Sequence, residues 1–148
     1  MNTLAKVFKN VNNSIIQTGS LRDSIFIINK YNGLDWLNYE NFNQHGVQKI
    51  NNNDYLTLYL MRWKPGKQGD IHATSNSCLT QILRGELIEK RFPFPNSSPL
   101  FIPETKVYKN KYSRYIDNTL NYQSFSNYSN YTATSLHLCF NLEQFTIR

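Results

Sequence analysis

Two cysteines, three histidines and no long apolar run leave this 148-residue chain short of the features that most often announce a function. Without an apolar stretch of about 18 residues there is no candidate membrane helix, and the opening MNTLAKVFKNVNN has no apolar centre for an export signal. Two cysteines without such a signal exclude a disulfide-dense secreted scaffold and point to a reducing compartment. The expected location is intracellular and cytoplasmic, or a virion if the source is a virus, with no membrane partner. The four Asn-x-Ser/Thr sites, at Asn12, Asn96, Asn127 and Asn130, are then chance in an asparagine-rich chain. Acidic residues are also scarce, 10 against 16 Lys and Arg, and the net charge of +6 lends mild support to anionic partners. Ordinary apolar and charged fractions argue against disorder, and the length suits one domain with a real core.

What is present begins with a run of strands. Tyr55, Thr57, Tyr59, Met61 and Trp63 alternate with Leu56, Leu58, Leu60 and Arg62, a period of two in β-favouring residues. Lys64 to Asp70 carries turn chemistry. Strands are expected at Ile71–Ser75 and Cys78–Leu83, with Arg84-Gly85-Glu86 as a tight hairpin turn before Leu87–Phe92. Four short strands in a row read as one wall of a β-barrel. Residues 1–50 read as mainly helical: Leu4, Val7, Phe8 and Val11 share a helical face ending at Asn12-Asn13. Ser20 is a candidate cap for a helix over Leu21–Tyr31, with apolar positions Leu21, Ile25 and Ile28 and a stop at Asn32-Gly33. Leu34–Leu37 opens a further turn. Pro93–Pro103 is a connection, and Lys106, Lys109, Lys111 and Arg114 form either a solvated edge strand or a nucleic-acid patch.

The spacing Gly66-x5-His72-x-Thr74-x3-Cys78-x6-Gly85 resembles the first cupin motif, Gly-x5-His-x-His-x3-Glu-x6-Gly. Cysteine in the glutamate's place, with Tyr115-Ile116-Asp117-Asn118 and Ser135-Leu136-His137-Leu138 further on, resembles the cysteine dioxygenase type I family. The resemblance implies a mainly β, jelly-roll barrel of cupin type over 51–148 under a helical cover over 1–50, as one cupin domain. It also implies iron(II) held by three imidazoles. The first ligand falls on His72, the second on Thr74, and the third on Gln123, separated by three residues from Asn127. A hydroxyl and an amide oxygen are poor substitutes for imidazole. His45 precedes the barrel. Lys49 is the nearest match to the family's substrate-carboxylate arginine, without its bidentate grip.

The family's Ser-x-His-x-Tyr line, hydrogen-bonded behind the metal, reads here as Ser135, His137 and Cys139. The tyrosine that the family crosslinks to the motif cysteine is therefore absent, so that thioether is excluded at this position. Cys139 in its place and Cys78 in the cysteine's would bring two sulfurs face to face. A disulfide is one alternative and needs Cβ atoms about 3.8 Å apart; a small buried apolar Cys78 is the other. A lone histidine such as His72 is more often a buried, hydrogen-bonded imidazole than a ligand.

The losses are concerted, and they favour a cysteine-dioxygenase-like cupin without chemistry, a pseudoenzyme that binds a protein or small ligand and needs no cofactor. The alternatives are an active iron-dependent thiol dioxygenase with an atypical site, and a basic packaging component of a larger assembly. The chain's end soon after His137 leaves one barrel edge less covered, so self-association into a homo-oligomer is expected.

Overall fold

A computed structural model describes residues 3–40, 46–67, 72–73, 77–92, 104–116 and 122–141; the side chains of 72, 73, 92, 104, 122 and 123 are outside that description. The first helix, α1 (Leu4–Thr18), starts where the Thr3 hydroxyl accepts from the Lys6 N–H, 3.2 Å, and buries Leu4, Val7, Phe8 and Val11 as the spacing predicts. It runs past Asn12-Asn13, because two mid-helix asparagines cost only tenths of a kcal/mol each and Ser14 has a use for the next turn. The Ser14 hydroxyl is buried against that of Ser24, 2.8 Å away. Gly19 ends the helix at φ 72, the left-handed conformation that glycine adopts without a Cβ penalty.

The expected helix over Leu21–Tyr31 is shorter and broken. A 3-10 turn at Arg22–Ser24 leads into α2 (Ile25–Asn29), whose crowded β-branched and aromatic residues are weak helix formers. The Ser20 hydroxyl still serves as a cap, accepting from the Asp23 N–H. A second 3-10 segment, Asp35–Tyr39, follows. Asp35 ties this cover together: one oxygen accepts from the Leu4 N–H, 2.8 Å, and the other from the Tyr31 hydroxyl, 2.6 Å. Burial, with the hydrogen bond and charge of Asp35 added, pushes the Tyr31 hydroxyl's pKa well above the usual tyrosine value.

Among the described residues nine strands follow: β1 (Val47–Asn52), β2 (Leu56–Trp63), β3 (His72–Ala73), β4 (Cys78–Arg84), β5 (Leu87–Phe92), β6 (Glu104–Tyr108), β7 (Ser113–Ile116), β8 (Tyr122–Ser126) and β9 (Ala133–Phe140). β1 therefore begins inside the stretch expected to be helical. The strands form two antiparallel sheets, β1-β2-β9-β4-β7 and β3-β8-β5-β6. The single wall expected from β2 to β5 is corrected here, since β2 and β4 lie in one sheet and β3 and β5 in the other. Gly85 makes the crossing from β4 to β5. Its φ is 77, and a Cβ there would stand 2.9 Å from the Ala133 Cα. A hairpin signal in sequence cannot tell a turn within a sheet from a turn between sheets.

The five-stranded sheet has two unlike faces. Leu56, Leu58, Leu60, Leu79, Leu136 and Leu138 point outward and pack in one cluster with Leu4, Val7, Val11, Ile28 and Trp36 of the cover. Ile82, Ala133 and the half-buried Trp63 belong to the opposite face and meet Leu87, Tyr108 and Phe125 between the sheets. A leucine fully buried in this way contributes about 1.5–3 kcal/mol relative to an exposed one. Among the described residues, no helix is long and apolar enough to cross a membrane.

Leu58→Ala should cost about 2–5 kcal/mol in a denaturant titration, because it opens a cavity under the cover. Leu34→Ala, at a side chain 70% exposed, should change stability by less than about 0.5 kcal/mol. Equal effects at the two positions would contradict the packing described.

Candidate functional site

Directly opposed residues of an antiparallel ladder share a face, so the register gives what meets inside the barrel. One rung of the five-stranded sheet reads Lys49, Tyr59, His137, Thr80, Arg114. The next reads Asn52, Thr57, Cys139, Cys78, Ile116. Both carry the parity of Ile82, Ala133 and Trp63, and so face inward. The sequence-derived residues Lys49, Cys78, Ser135, His137 and Cys139 are thus brought to one surface, with Lys49 exposed at its edge.

His137 sits at the centre. Its Nε2 is 2.6 Å from the Ser135 hydroxyl and its Nδ1 is 3.1 Å from that of Thr80. The Trp63 Nε1–H donates to Ser135 Oγ at 2.9 Å. Indole can only donate, so we assign the Ser135 O–H as donor to Nε2, leaving the Nδ1–H to donate to Thr80. A neutral imidazole satisfies this line. Burial pushes the pKa of His137 down to about 4 from 6.5. Trp63 and Thr80 were not singled out from the sequence, though strand parity with Cys78 and Tyr59 marks both as inward-facing.

Cys78 and Cys139 are opposed in the β4–β9 ladder and joined as a disulfide, with Cα atoms 4.1 Å apart. Of the two readings of Cys78, the structure takes the bonded one. Cys139 is 7% exposed and Cys78 half-buried.

A second polar group faces the barrel from the other sheet. Glu89 shares a face of β5 with Leu87, and its side chain is fully buried. On its Oε1 converge Arg114 Nη1 at 2.9 Å, the Tyr108 hydroxyl at 2.6 Å and Arg91 Nε at 3.1 Å. Glu89 Oε2 is buried without a hydrogen-bond partner among the described residues. Two guanidiniums against one carboxylate leave this cluster cationic. Burial first, then the hydrogen bond to Glu89, raises the Tyr108 hydroxyl's pKa far above its ordinary value. LIEKRF does not mark Glu89 as buried, because Ile88 and Phe92 make the other parity the more apolar one. Arg114 was assigned instead to an exposed patch with Lys106, Lys109 and Lys111, and this is corrected: it turns inward to Glu89. Lys106 lies over the Tyr112 ring, 5.1 Å from its centroid, and Lys109 and Lys111 are exposed in the turn that follows.

The expected metal positions can be followed only along the backbone. His72 and Gln123 are register partners of β3 and β8, and Gln123 is in turn opposite Arg91 of β5. Thr74 and His45 lie outside the described residues. One imidazole, one hydroxyl and one amide oxygen do not match what iron(II) asks of a cupin. His137 cannot complete the set, because both its ring nitrogens are engaged by hydroxyls. The two sulfurs are bonded to each other and offer no thiolate. Among the described residues, no three of His, Cys, Asp and Glu gather where they could hold a metal ion. Thr74 and Gln123 beside His72 are not the donor set that the resemblance implies for iron.

The buried imidazole gives a pH signature. Protons bind the unfolded chain, near 6.5, before they bind the folded one, near 4, so this group's contribution to stability is complete above about pH 6.5 and is lost as pH falls toward 4. In an NMR titration, the His137 ring resonances should stay those of a neutral imidazole from pH 8 down to about 5. A midpoint near 6.5 would contradict the buried line.

Solved structures share the architecture. A cupin superfamily protein from Desulfitobacterium hafniense superposes with a TM-score of 0.53 at 11% identity, over 74% of this chain and 90% of that one. A protein from Thermus thermophilus gives 0.54 at 14%, over 72% and 94%, and one from Bacillus halodurans 0.56 at 11%, over 72% and 78%. At such identities the likeness speaks for the fold alone. The family model for cysteine dioxygenase type I matches residues 2–142. With the inward Ser135 and His137 and the cysteine at position 78, that match covers nearly the whole chain: it belongs to the cysteine dioxygenase type I family.

Proposed function

We propose that this cupin has given up oxygen chemistry and works as a binding or structural protein built on the cysteine dioxygenase scaffold. The observation that carries the reading is the joint replacement of the donors. Thr74 and Gln123 stand where imidazoles are expected, and the cysteine of the motif is tied to Cys139. A metal that activates O2 must be held by several strong donors with positions left open. One imidazole leaves the affinity too low to retain an ion against dilution. Lys49 in the arginine's place removes bidentate recognition of a substrate carboxylate as well. Loss of ligands, crosslink and substrate clamp together is what relaxation of one function produces, whereas a relocated site would keep some of them.

What remains inside is still organised. The line from Trp63 to Thr80 and the Arg–Glu cluster are costly to bury unless satisfied, and they hold a cationic interior suited to a small anionic or polar ligand.

The test is anaerobic loading with iron(II), desalting, metal analysis, and oxygen uptake with cysteine and other small thiols. The expected result is iron far below one per chain and no thiol-dependent uptake above buffer. Stoichiometric retained iron with cysteine-dependent uptake would establish the alternative, an active dioxygenase with an atypical site.

A further inference from the structure

The Cys78–Cys139 bond lies inside the barrel, on the rung beside His137. A buried staple and a reactive disulfide differ in three respects: whether one sulfur can be reached, whether the departing thiolate is stabilised, and whether the surroundings survive the opening. Cys78 is half-buried whereas Cys139 is 7% exposed, so the Cys78 side of the bond is the more open of the two. Arg114, opposite Thr80 on β7, stands one rung from Cys78, and the Arg91–Glu89–Arg114 cluster leaves a net positive charge facing the same space. A positive field on the face that carries the sulfurs favours thiolate over thiol. The β4–β9 ladder runs on from the bond on one side, from Leu79↔Leu138 to Arg84↔Thr134, the Phe140 N–H donates to the Ser77 carbonyl on the other, and β2 pairs with β9 along its length, so the strands stay together when the sulfurs part.

We propose that this disulfide is an exchange site for a low-molecular-weight thiol carrying negative charge. It names the small ligand of the reading above, yet it rests on the sulfur pair and not on the lost iron. The thiolate of the small molecule attacks Cys78 Sγ, the Cys78–Cys139 bond breaks, and its electron pair leaves on Cys139 Sγ, which takes a proton from water. The product is a mixed disulfide at Cys78. A second thiolate attacks the small molecule's sulfur in that mixed disulfide, releasing the small disulfide and the Cys78 thiolate. Two small thiols are oxidised to one disulfide and the protein disulfide is reduced to two thiols. The same small disulfide is the oxidant that drives the reverse. The cationic interior, with Lys49 exposed at the end of the His137 rung, favours entry of an anionic thiol over a neutral or cationic one.

Glutathione is the probe, with cysteamine as the cationic comparison. The intact protein is equilibrated without oxygen in mixtures of reduced and oxidised glutathione, quenched with acid, alkylated and weighed. Oxidised and reduced protein should coexist at millimolar glutathione without denaturant, and glutathione should react roughly tenfold faster than cysteamine at matched thiolate concentration. In Cys139→Ser, which frees Cys78, a glutathione adduct should form at Cys78; in Cys78→Ser the adduct at Cys139 should form roughly tenfold more slowly, because that sulfur is buried. A disulfide that resists excess glutathione until denaturant is added is a structural staple and overturns the proposal. Should a serine variant fail to fold, the equilibrium of the intact protein decides alone. Iron content is read separately, so failure here leaves the loss of oxygen chemistry standing.

Discussion

The ladder between β4 and β9 is the constraint on which the rest depends. β9 alternates leucine with serine, histidine and cysteine, and β4 sets Leu79 between Cys78 and Thr80, so one ladder supplies both an apolar face and a chemical one. Leu79, Leu136 and Leu138 are fully buried beneath the helical cover, and their burial fixes the register. A slip by one residue would turn Thr80, His137 and the two cysteines into the leucine layer and the leucines into the barrel, an exchange costing several kcal/mol in lost burial alone. The position of His137 and of the disulfide is thus set by leucines that touch neither.

Within that frame the interior is polar but almost fully paired. Trp63, Ser135, His137 and Thr80 form one line of donors and acceptors, and Glu89 gathers Arg91, Arg114 and Tyr108 into a second group. Such groups stay buried only when each member has a partner, which accounts for a histidine held neutral by its surroundings. A neutral imidazole engaged through both nitrogens orders the interior.

Strand alternation made much of this legible. Tyr55–Trp63 announced β2 almost to the residue, and Cys78–Leu83 announced β4. The motif spacing identified the family, and the residues departing from it could be named before any geometry was known. What escaped depended on partners distant in the chain. Asp35, holding both Leu4 and Tyr31, decides where the cover begins and ends, and local propensity contains no trace of it. Arg84-Gly85-Glu86 looks the same whether the next strand returns to its own sheet or crosses to the other. Arg114 reads as one cation among lysines until Glu89 is seen across the barrel. The sulfur pair was open in the sequence because substitution at two positions suggests proximity, while only the register puts Cys78 opposite Cys139.

The most direct measurement is peptide mapping of air-equilibrated, folded protein, alkylated before digestion and without reductant. The account predicts a single linked peptide joining the segments around Cys78 and Cys139, absent after reduction. Both cysteines carrying the alkyl label without prior reduction would contradict the Cys78–Cys139 bond on which the reading of the site is built.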